Sequence, residues 1–358
     1  MDKNKRLTVW LPVIIAASIA LGIFIGNHYL SISQGKKRSY SSGNKINAIL
    51  DIIDEQYVDT VSMSKLVEST IPKIFSELDP HSVYIPAEDA SVVNEELEGS
   101  FSGIGVSFNM QTDTILVISV ISGGPAEKAG LLPFDRIISI NDSIFSGKKK
   151  NQGEIMKTLR GAKNSTVKLG VQRGNSPELL YFDVTRGDVP VNSVDVSYEA
   201  AKGIGYIKVS KFARNTYNEF ITAIAKLKQA GCTSFVIDLR GNTGGYMDAA
   251  INMINEFMPE GRLIVYTEGK SFPRSDVYAN GTGTCKDAPI VVLTDEISAS
   301  ASEIFSGAIQ DNDRGTIIGR RTYGKGLVQT QMSLSDGSEM RLTIARYYTP
   351  SGRCIQKK

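Results

Sequence analysis

Ile290-Val291-Val292-Leu293-Thr294-Asp295-Glu296-Ile297-Ser298-Ala299-Ser300-Ala301-Ser302-Glu303-Ile304-Phe305 joins a β-branched run to a segment of helix formers. The run from Ile290 to Thr294 predicts a strand, and the segment from Ser300 to about Asp311 predicts a helix. A serine at such a junction lies beside the free N–H groups of the helix, where developing negative charge is favoured. Alone, that also describes an ordinary helix cap.

Working outward, strands and helices alternate after about residue 200. Ile204 to Val209 predicts a strand, and Thr216-Tyr217-Asn218-Glu219 reads as a capping box. The helix it opens turns Phe220, Ile224 and Leu227 inward and closes at Gly231. Ser234 to Leu239 predicts a strand, Tyr246 to Met258 a helix stopped by Pro259, Leu263 to Thr267 and Thr316 to Gly319 further strands. Such alternation implies an α/β layered domain.

Two further elements of this domain could join Ser300 in chemistry. Gly319-Arg320-Arg321-Thr322-Tyr323-Gly324-Lys325-Gly326 sets a lysine between two glycines, which let the backbone approach closely or take positive φ. Buried near Ser300, Lys325 would have a lowered amine pKa and could take the hydroxyl proton. Asp238-Leu239-Arg240-Gly241-Asn242-Thr243-Gly244-Gly245 lies at a strand end, where glycine N–H groups could form an oxyanion hole or simply an ordinary turn.

Gly319 to Lys325 also fits G-x-x-x-x-G-K, but Gly326 stands where a P-loop needs Ser or Thr, and Leu327 to Met332 reads as a strand rather than a helix. Nucleotide binding is excluded on both grounds. Ser62–Lys65 and Ser146–Lys149 match Ser-x-x-Lys by chance, in polar segments without a Lys-Thr-Gly partner.

Upstream the period shortens. Ile115 to Ile121, Arg136 to Ile140 and Val167 to Val171 are β-rich runs bounded by Gly, Pro and Asn. With helical patches at Pro125 to Leu131 and around Ile155 and Leu159, residues 97–187 read as a β-rich domain with two short helices. Its Gly103-Ile104-Gly105-Val106 is either a glycine bend or a loop whose N–H groups capture a chain's terminal carboxylate. Ile46, Ile49, Leu50, Ile53 and Tyr57 form one helical stripe, a second helical pattern with Leu66, Val67, Ile74, Phe75 and Leu78 ends at Asp79-Pro80, and residues 44–95 read as a small helical region.

Val9 to Gly26 is uncharged and follows Lys3, Lys5 and Arg6. Eighteen residues span about 27 Å, near the lower limit for a bilayer core. The run exceeds the usual apolar core of a cleaved signal peptide and lacks a small-x-small site, so residues 1–30 are expected to be an uncleaved signal-anchor. Residues 31–43 are a Ser-, Gly- and Lys-rich linker.

The 358 residues suffice for two or three domains. Forty basic and 38 acidic side chains leave a formal charge of +2, giving no basic field for nucleic acid. Three cysteines without a C-x-x-C pair exclude a disulfide scaffold and a zinc ribbon. The two histidines, His28 and His81, leave a hydrolase of this sequence poorly supplied with imidazole, so its base is expected to be another group.

Seven segments in order resemble one family, the carboxy-terminal processing peptidases or tail-specific proteases. They are Leu78 to Tyr84, Gly99 to Val106, Pro125 to Leu131, Asp238 to Gly245, Ser298 to Phe305, Gly319 to Gln329, and Tyr347 to Arg353. The resemblance implies a PDZ domain (97–187) between a small helical region (44–95) and a Ser/Lys peptidase core (188–358), which with the N-terminal membrane anchor read from the apolar run makes a multidomain α+β chain. It implies Ser300 as nucleophile, Lys325 as general base and Gln329 as the residue orienting that base. It places the oxyanion hole at the backbone of Gly244 and Ala301. Substrate C-termini would be held by Gly103, Ile104, Gly105 and Val106, with an apolar pocket including Ile155 and Leu159. Thr243 stands where many relatives have proline, and Cys354 has no assigned role. No metal or cofactor is implied, and the partners expected are protein or peptide substrates with free C-termini and a membrane, not nucleic acid. The resemblance also implies a bacterial cell envelope location, with the catalytic part outside the cytoplasmic membrane. The competing reading is a non-catalytic PDZ adaptor with a relic peptidase-like domain.

Overall fold

The computed structural model describes residues 16–23, 42–111, 114–144 and 152–357. The chain divides into two compact units, residues 1–70 and 71–358. The first contains α1 (residues 16–23), α2 (Ser42–Gln56) and the start of α3 (Met63–Ser76). In α2 the stripe read from the sequence leaves Ile46 and Ile49 exposed, while Leu50 and Ile53 are half-buried. Most of the expected anchor and linker lies outside the described residues. Among the described residues no helix is long and apolar enough to cross a membrane.

In the second unit the helical region is interrupted. Val83–Ile85 forms β1, antiparallel to the last strand of the peptidase core, before α4 (Ala87–Glu98) begins. Three residues are too few for a period to show in the sequence, yet Tyr84 and Ile85 are buried.

The β-rich domain follows. A two-stranded ribbon, β2 (Ser100–Gly103) with β9 (Gly187–Pro190), closes its two ends. Between them β3 (Val106–Gln111), β4 (Thr114–Val120), β5 (Arg136–Ile140), β7 (Thr166–Gln172) and β8 (Leu180–Thr185) form an antiparallel sheet in that order, with β6 (Ser143–Ile144) on β5. Helices α5 (Pro125–Ala129) and α6 (Gln152–Leu159) cover its core of Val117, Ile137, Val167 and Leu169, which are fully buried.

The last part is the expected α/β layer. Strands β10 (Val194–Ala201), β11 (Ile204–Val209), β12 (Ser234–Asp238), β15 (Ile290–Thr294) and β16 (Thr316–Gly319) form one sheet in that order, parallel except at the β10 edge. Helices α7 (Thr216–Gln229), α8 (Met247–Asn255) and α9 (Ala301–Asp311) pack with it around Phe220, Phe235, Phe257 and Phe305. The last three rings meet edge-on about Phe257, a geometry worth about 0.5–1.5 kcal/mol per pair beyond burial. A second sheet runs β1, β18 (Glu339–Tyr348), β13 (Leu263–Glu268), β14 (Ser275–Tyr278), with β17 (Leu327–Ser333) on the other side of β18.

The capping box expected at Thr216 does not form. Asn215 occupies the N-cap position of α7 without a side-chain capping bond, and Glu219 turns away to accept the N–H groups of Ser193 and Val194. The carboxylate thereby fixes the chain where it enters β10, which a local reading cannot foresee.

Candidate active site

Strands β12 and β15 are parallel neighbours, so the loops leaving their C-terminal ends lie side by side. In open α/β sheets that end of the sheet is where ligands bind. The first loop is Leu239 to Tyr246 and the second Asp295 to Ser300. Their pairing is dense: Gly241 N–H donates to Asp295 at 3.0 Å, Ser298 Oγ to Leu239 O at 2.8 Å, and Ala299 N–H to Asn242 O at 3.0 Å. Asp295 also receives the N–H groups of Ile297 and Ser298. Burial works to raise its pKa, but these donors outweigh it and hold the carboxyl below its usual range.

Ser300 stands at the junction with φ +53° and ψ −112°, a conformation non-glycine residues rarely adopt. Its strain is held by the buried walls around it. Gly244, at φ +101°, passes so close that a Cβ there would sit 2.8 Å from Ser300 Cβ and 3.1 Å from Ala301 N. The sequence-predicted Gly244, Ser300 and Ala301 are thus brought together. Gly244 N–H, however, donates to Asn242 Oδ1 at 2.8 Å. Ala301 N–H is the first of α9 and has no carbonyl one turn back.

Glu303 was not singled out from the sequence, although its place three residues after Ser300 is the capping-box signal. Its carboxylate is buried and accepts Ser300 N–H at 2.9 Å, Gly324 N–H at 2.7 Å and Lys325 N–H at 2.8 Å. One side chain therefore ties the serine junction to the lysine loop. From the opposite side, residues 354–357 run beside that loop. Lys357 N–H donates to Gly324 O at 2.9 Å, and Gly326 N–H donates to Gln356 Oε1 at 3.0 Å. A Cβ on Gly326 would lie 2.2 Å from Gln356 N, which explains a glycine after Lys325.

Lys325 is half-buried. Desolvation, and then the nearby Arg341 cation, push its amine below the usual lysine range, against a smaller opposite pull from Asp79. Ser300 Oγ and Lys325 Nζ are not hydrogen-bonded to each other in this structure. Gln329 does not reach the amine either: its Nε2 donates to His81 O at 2.6 Å. His81 belongs to the Leu78 to Ser82 turn, in which Asp79 accepts the N–H groups of His81 and Ser82 and the hydroxyls of Ser82 and Thr343. Burial, and then the Lys325 charge, lower the His81 imidazole pKa.

In the β-rich domain, Gly103 to Val106 leave β2 and enter β3. Gly105 takes φ +78°, and among the described residues neither Ile104 nor Gly105 donates its N–H. A groove of about 250 Å³ lies beside them, lined by Phe101, Phe108, Met156, Leu159 and Arg160 among others. The expected Leu159 lines it. Ile155 does not, being fully buried in the domain core, and Met156 takes that place. One residue around the helix separates the two, a margin the sequence spacing alone cannot fix. All three cysteines are free, Cys232 and Cys285 buried and Cys354 exposed.

The peptidase family S41 model matches residues 203–358, and a PDZ domain model matches residues 102–195. The carboxy-terminal processing protease CtpB of Bacillus subtilis (strain 168) is 35% identical over 318 residues, covering 88% of this chain and 66% of that protein. A CtpA-like serine protease of Staphylococcus aureus (strain N315) is 33% identical over 365 residues, covering 100% of this chain and 72% of that protein. The chain thus spans about two thirds of the length of these relatives. Among solved structures, the photosystem II D1 C-terminal processing protease matches at 28% identity and TM-score 0.49, covering 88% of this chain and 91% of that one. On its sequence kinship this chain belongs to the carboxy-terminal processing peptidases, with a PDZ domain preceding its S41 peptidase core.

Proposed function

We propose that the protein is a serine endopeptidase in which Ser300 and Lys325 form the catalytic dyad. The observation that carries this reading is the Glu303 carboxylate, whose Oε2 accepts the backbone N–H groups of both Ser300 and Lys325. Neutral Lys325 takes the Ser300 Oγ proton as Oγ bonds to the peptide carbonyl carbon. The oxyanion is received by Ala301 N–H and by Gly244 N–H, the latter after leaving Asn242 Oδ1. Collapse breaks the C–N bond, Lys325 returns the proton to the departing amine, and water then hydrolyses the acyl-enzyme with Lys325 again as base. Gln329 orients Lys325 once its amide leaves His81 O. Such tightening on substrate binding is common in hydrolases, whose catalytic hydrogen bonds are long or absent when unliganded.

The PDZ domain selects substrates by their C-termini, through the N–H groups of Ile104 and Gly105 and the groove lined by Leu159 and Met156. The uncharged run Val9 to Gly26 behind Lys3, Lys5 and Arg6 supports anchoring in the cytoplasmic membrane, with the peptidase outside it. Ser300→Ala and Lys325→Ala are each expected to abolish cleavage of a peptide while leaving the protein folded. Turnover by purified Lys325→Ala would remove the dyad. Amidating the peptide's C-terminus is expected to weaken its binding, and equal behaviour of acid and amide would remove carboxylate capture.

A further inference from the structure

Gly244 and Gly245 stand in succession at φ +101° and +141°. Two glycines impose little geometry of their own, so their flanks must set it. Upstream the flank is Asn242, which is buried: its Nδ2 donates to Val209 O at 2.9 Å while its Oδ1 holds Gly244 N–H. Downstream the flank is Tyr246. Its N–H donates to Phe212 O at 2.7 Å, and Phe212 N–H donates to Gly244 O at 3.0 Å. Phe212 and Gly245 thus form a short parallel bridge. Beyond the bridge Arg214 and Tyr246 lie together, the guanidinium carbon 5.5 Å from the ring centroid.

One carboxylate joins these two side chains. Glu98 Oε2 accepts Arg214 Nε–H at 2.6 Å, and its Oε1 accepts both Arg214 Nη2–H at 2.7 Å and the Tyr246 hydroxyl at 3.0 Å. Glu98 belongs to neither segment. It is the last residue of α4, and Gly99 O beyond it accepts Val191 N–H at 2.9 Å where the chain enters and leaves the β-rich domain. Glu98 and Arg214 are both partly exposed, and such ion pairs stabilise little. What a two-pronged fork with a third donor supplies is direction, here the angle at which Tyr246 leaves the glycines.

We propose that Glu98 is a positioning residue for peptide hydrolysis: through Tyr246 and Arg214 it seats the two-glycine loop so that Gly244 N–H, once released by Asn242, meets the oxyanion. The inference rests on the proteolytic reading and adds to it a group 148 residues upstream of the tyrosine it holds. Glu98 acts only through the backbone it braces. Losing an oxyanion donor outright costs about 100- to 1000-fold in kcat, so a loosely seated one should cost about tenfold.

Glu98→Gln and Tyr246→Phe test this in the full-length protein. The first turns an amide toward the Arg214 donors, and the second removes one hydroxyl and nothing else. Amide hydrogen exchange in a Ser300→Ala background needs no turnover. Exchange at Gly244 and Tyr246 should quicken at least about fivefold in both variants, while Ile297 and Ser298, held by Asp295, keep the parent rate. Parent rates at Gly244 and Tyr246 in both variants overturn the proposal.

With Ser300 intact, kcat on a peptide should fall about tenfold in Glu98→Gln, and less in Tyr246→Phe, at unchanged KM. A peptide aldehyde separates positioning from mere bracing. Ser300 Oγ bonds to its carbonyl carbon, the Oγ proton passes to Lys325, and the carbonyl oxygen becomes an oxyanion, whereas the matching alcohol forms no such bond. Glu98→Gln should bind the aldehyde about tenfold more weakly than wild type and the alcohol equally well. Equal losses for both ligands, or unchanged kcat despite quickened exchange, also overturn the proposal. Failure of the dyad is read separately, by turnover in purified Lys325→Ala, and leaves the exchange result standing.

Discussion

Glu303 reaches Lys325 through the main chain: its Oε2 accepts the Lys325 N–H at 2.8 Å across 22 residues of sequence. The lysine's backbone is therefore fixed while its side chain stays free to move a proton. Glu303→Gln turns one acceptor into a donor facing backbone N–H groups. Because small misplacements of reacting groups are costly, kcat should fall by about 100-fold with little change in KM. Steady-state kinetics on peptide, with a thermal melt confirming folding, checks this. Wild-type kcat in the variant would show that the carboxylate does not position the dyad.

In the proposed dyad Lys325 acts as the neutral amine, so activity is expected to rise with pH through its folded pKa, which desolvation and Arg341 hold below the ordinary 10.5. Arg341→Gln removes a repelling cation, so the lysine holds its proton more firmly and the acid limb of kcat/KM moves to higher pH. Linkage gives the companion sign: between the lowered folded pKa and 10.5 the unfolded chain binds more protons, so stability rises with pH. Lys325→Met should flatten that rise in denaturant midpoints measured across the window.

Asp79 illustrates the opposite sign. Burial raises its pKa, but donors from Ser82, His81 and Thr343 prevail and hold it below the ordinary 3.8. The stability it contributes is present above 3.8 and is lost as pH falls through the lower folded value. Asp79→Asn should lose that acid dependence, and should destabilise the protein at neutral pH by about 1–3 kcal/mol through unmatched donors. Urea midpoints at several pH values decide it.

Gly326→Ala places a methyl 2.2 Å from Gln356 N. Either the loop or residues 354–357 must shift, and peptide turnover should fall at least about tenfold while the far-UV spectrum is retained. Unaltered turnover would mean that the loop does not depend on this contact.

The alternation of β12, β15 and α9 was legible because each run is long enough to show its period, and strand order sets the Ser300 junction beside the Gly-rich loop, whereas the choice of Gly244 within that loop came only from the family resemblance. Several features were not legible. Val83–Ile85 is too short to announce a strand. Glu219 serves β10 rather than its own helix, and Gly244 N–H is held by Asn242. Each depends on a partner brought near only by the completed fold. The separation of Ser300 Oγ from Lys325 Nζ belongs to the same class, since side-chain rotation leaves no mark on residue spacing.

The strip at residues 354–357 follows every other component of the site along the polypeptide. During synthesis the Ser300 junction and the Lys325 loop emerge from the ribosome before the residues that clamp the loop. On the proposed dyad, the support of the Lys325 loop is therefore completed only after translation has passed residue 357, so a half-made chain would lack a finished site.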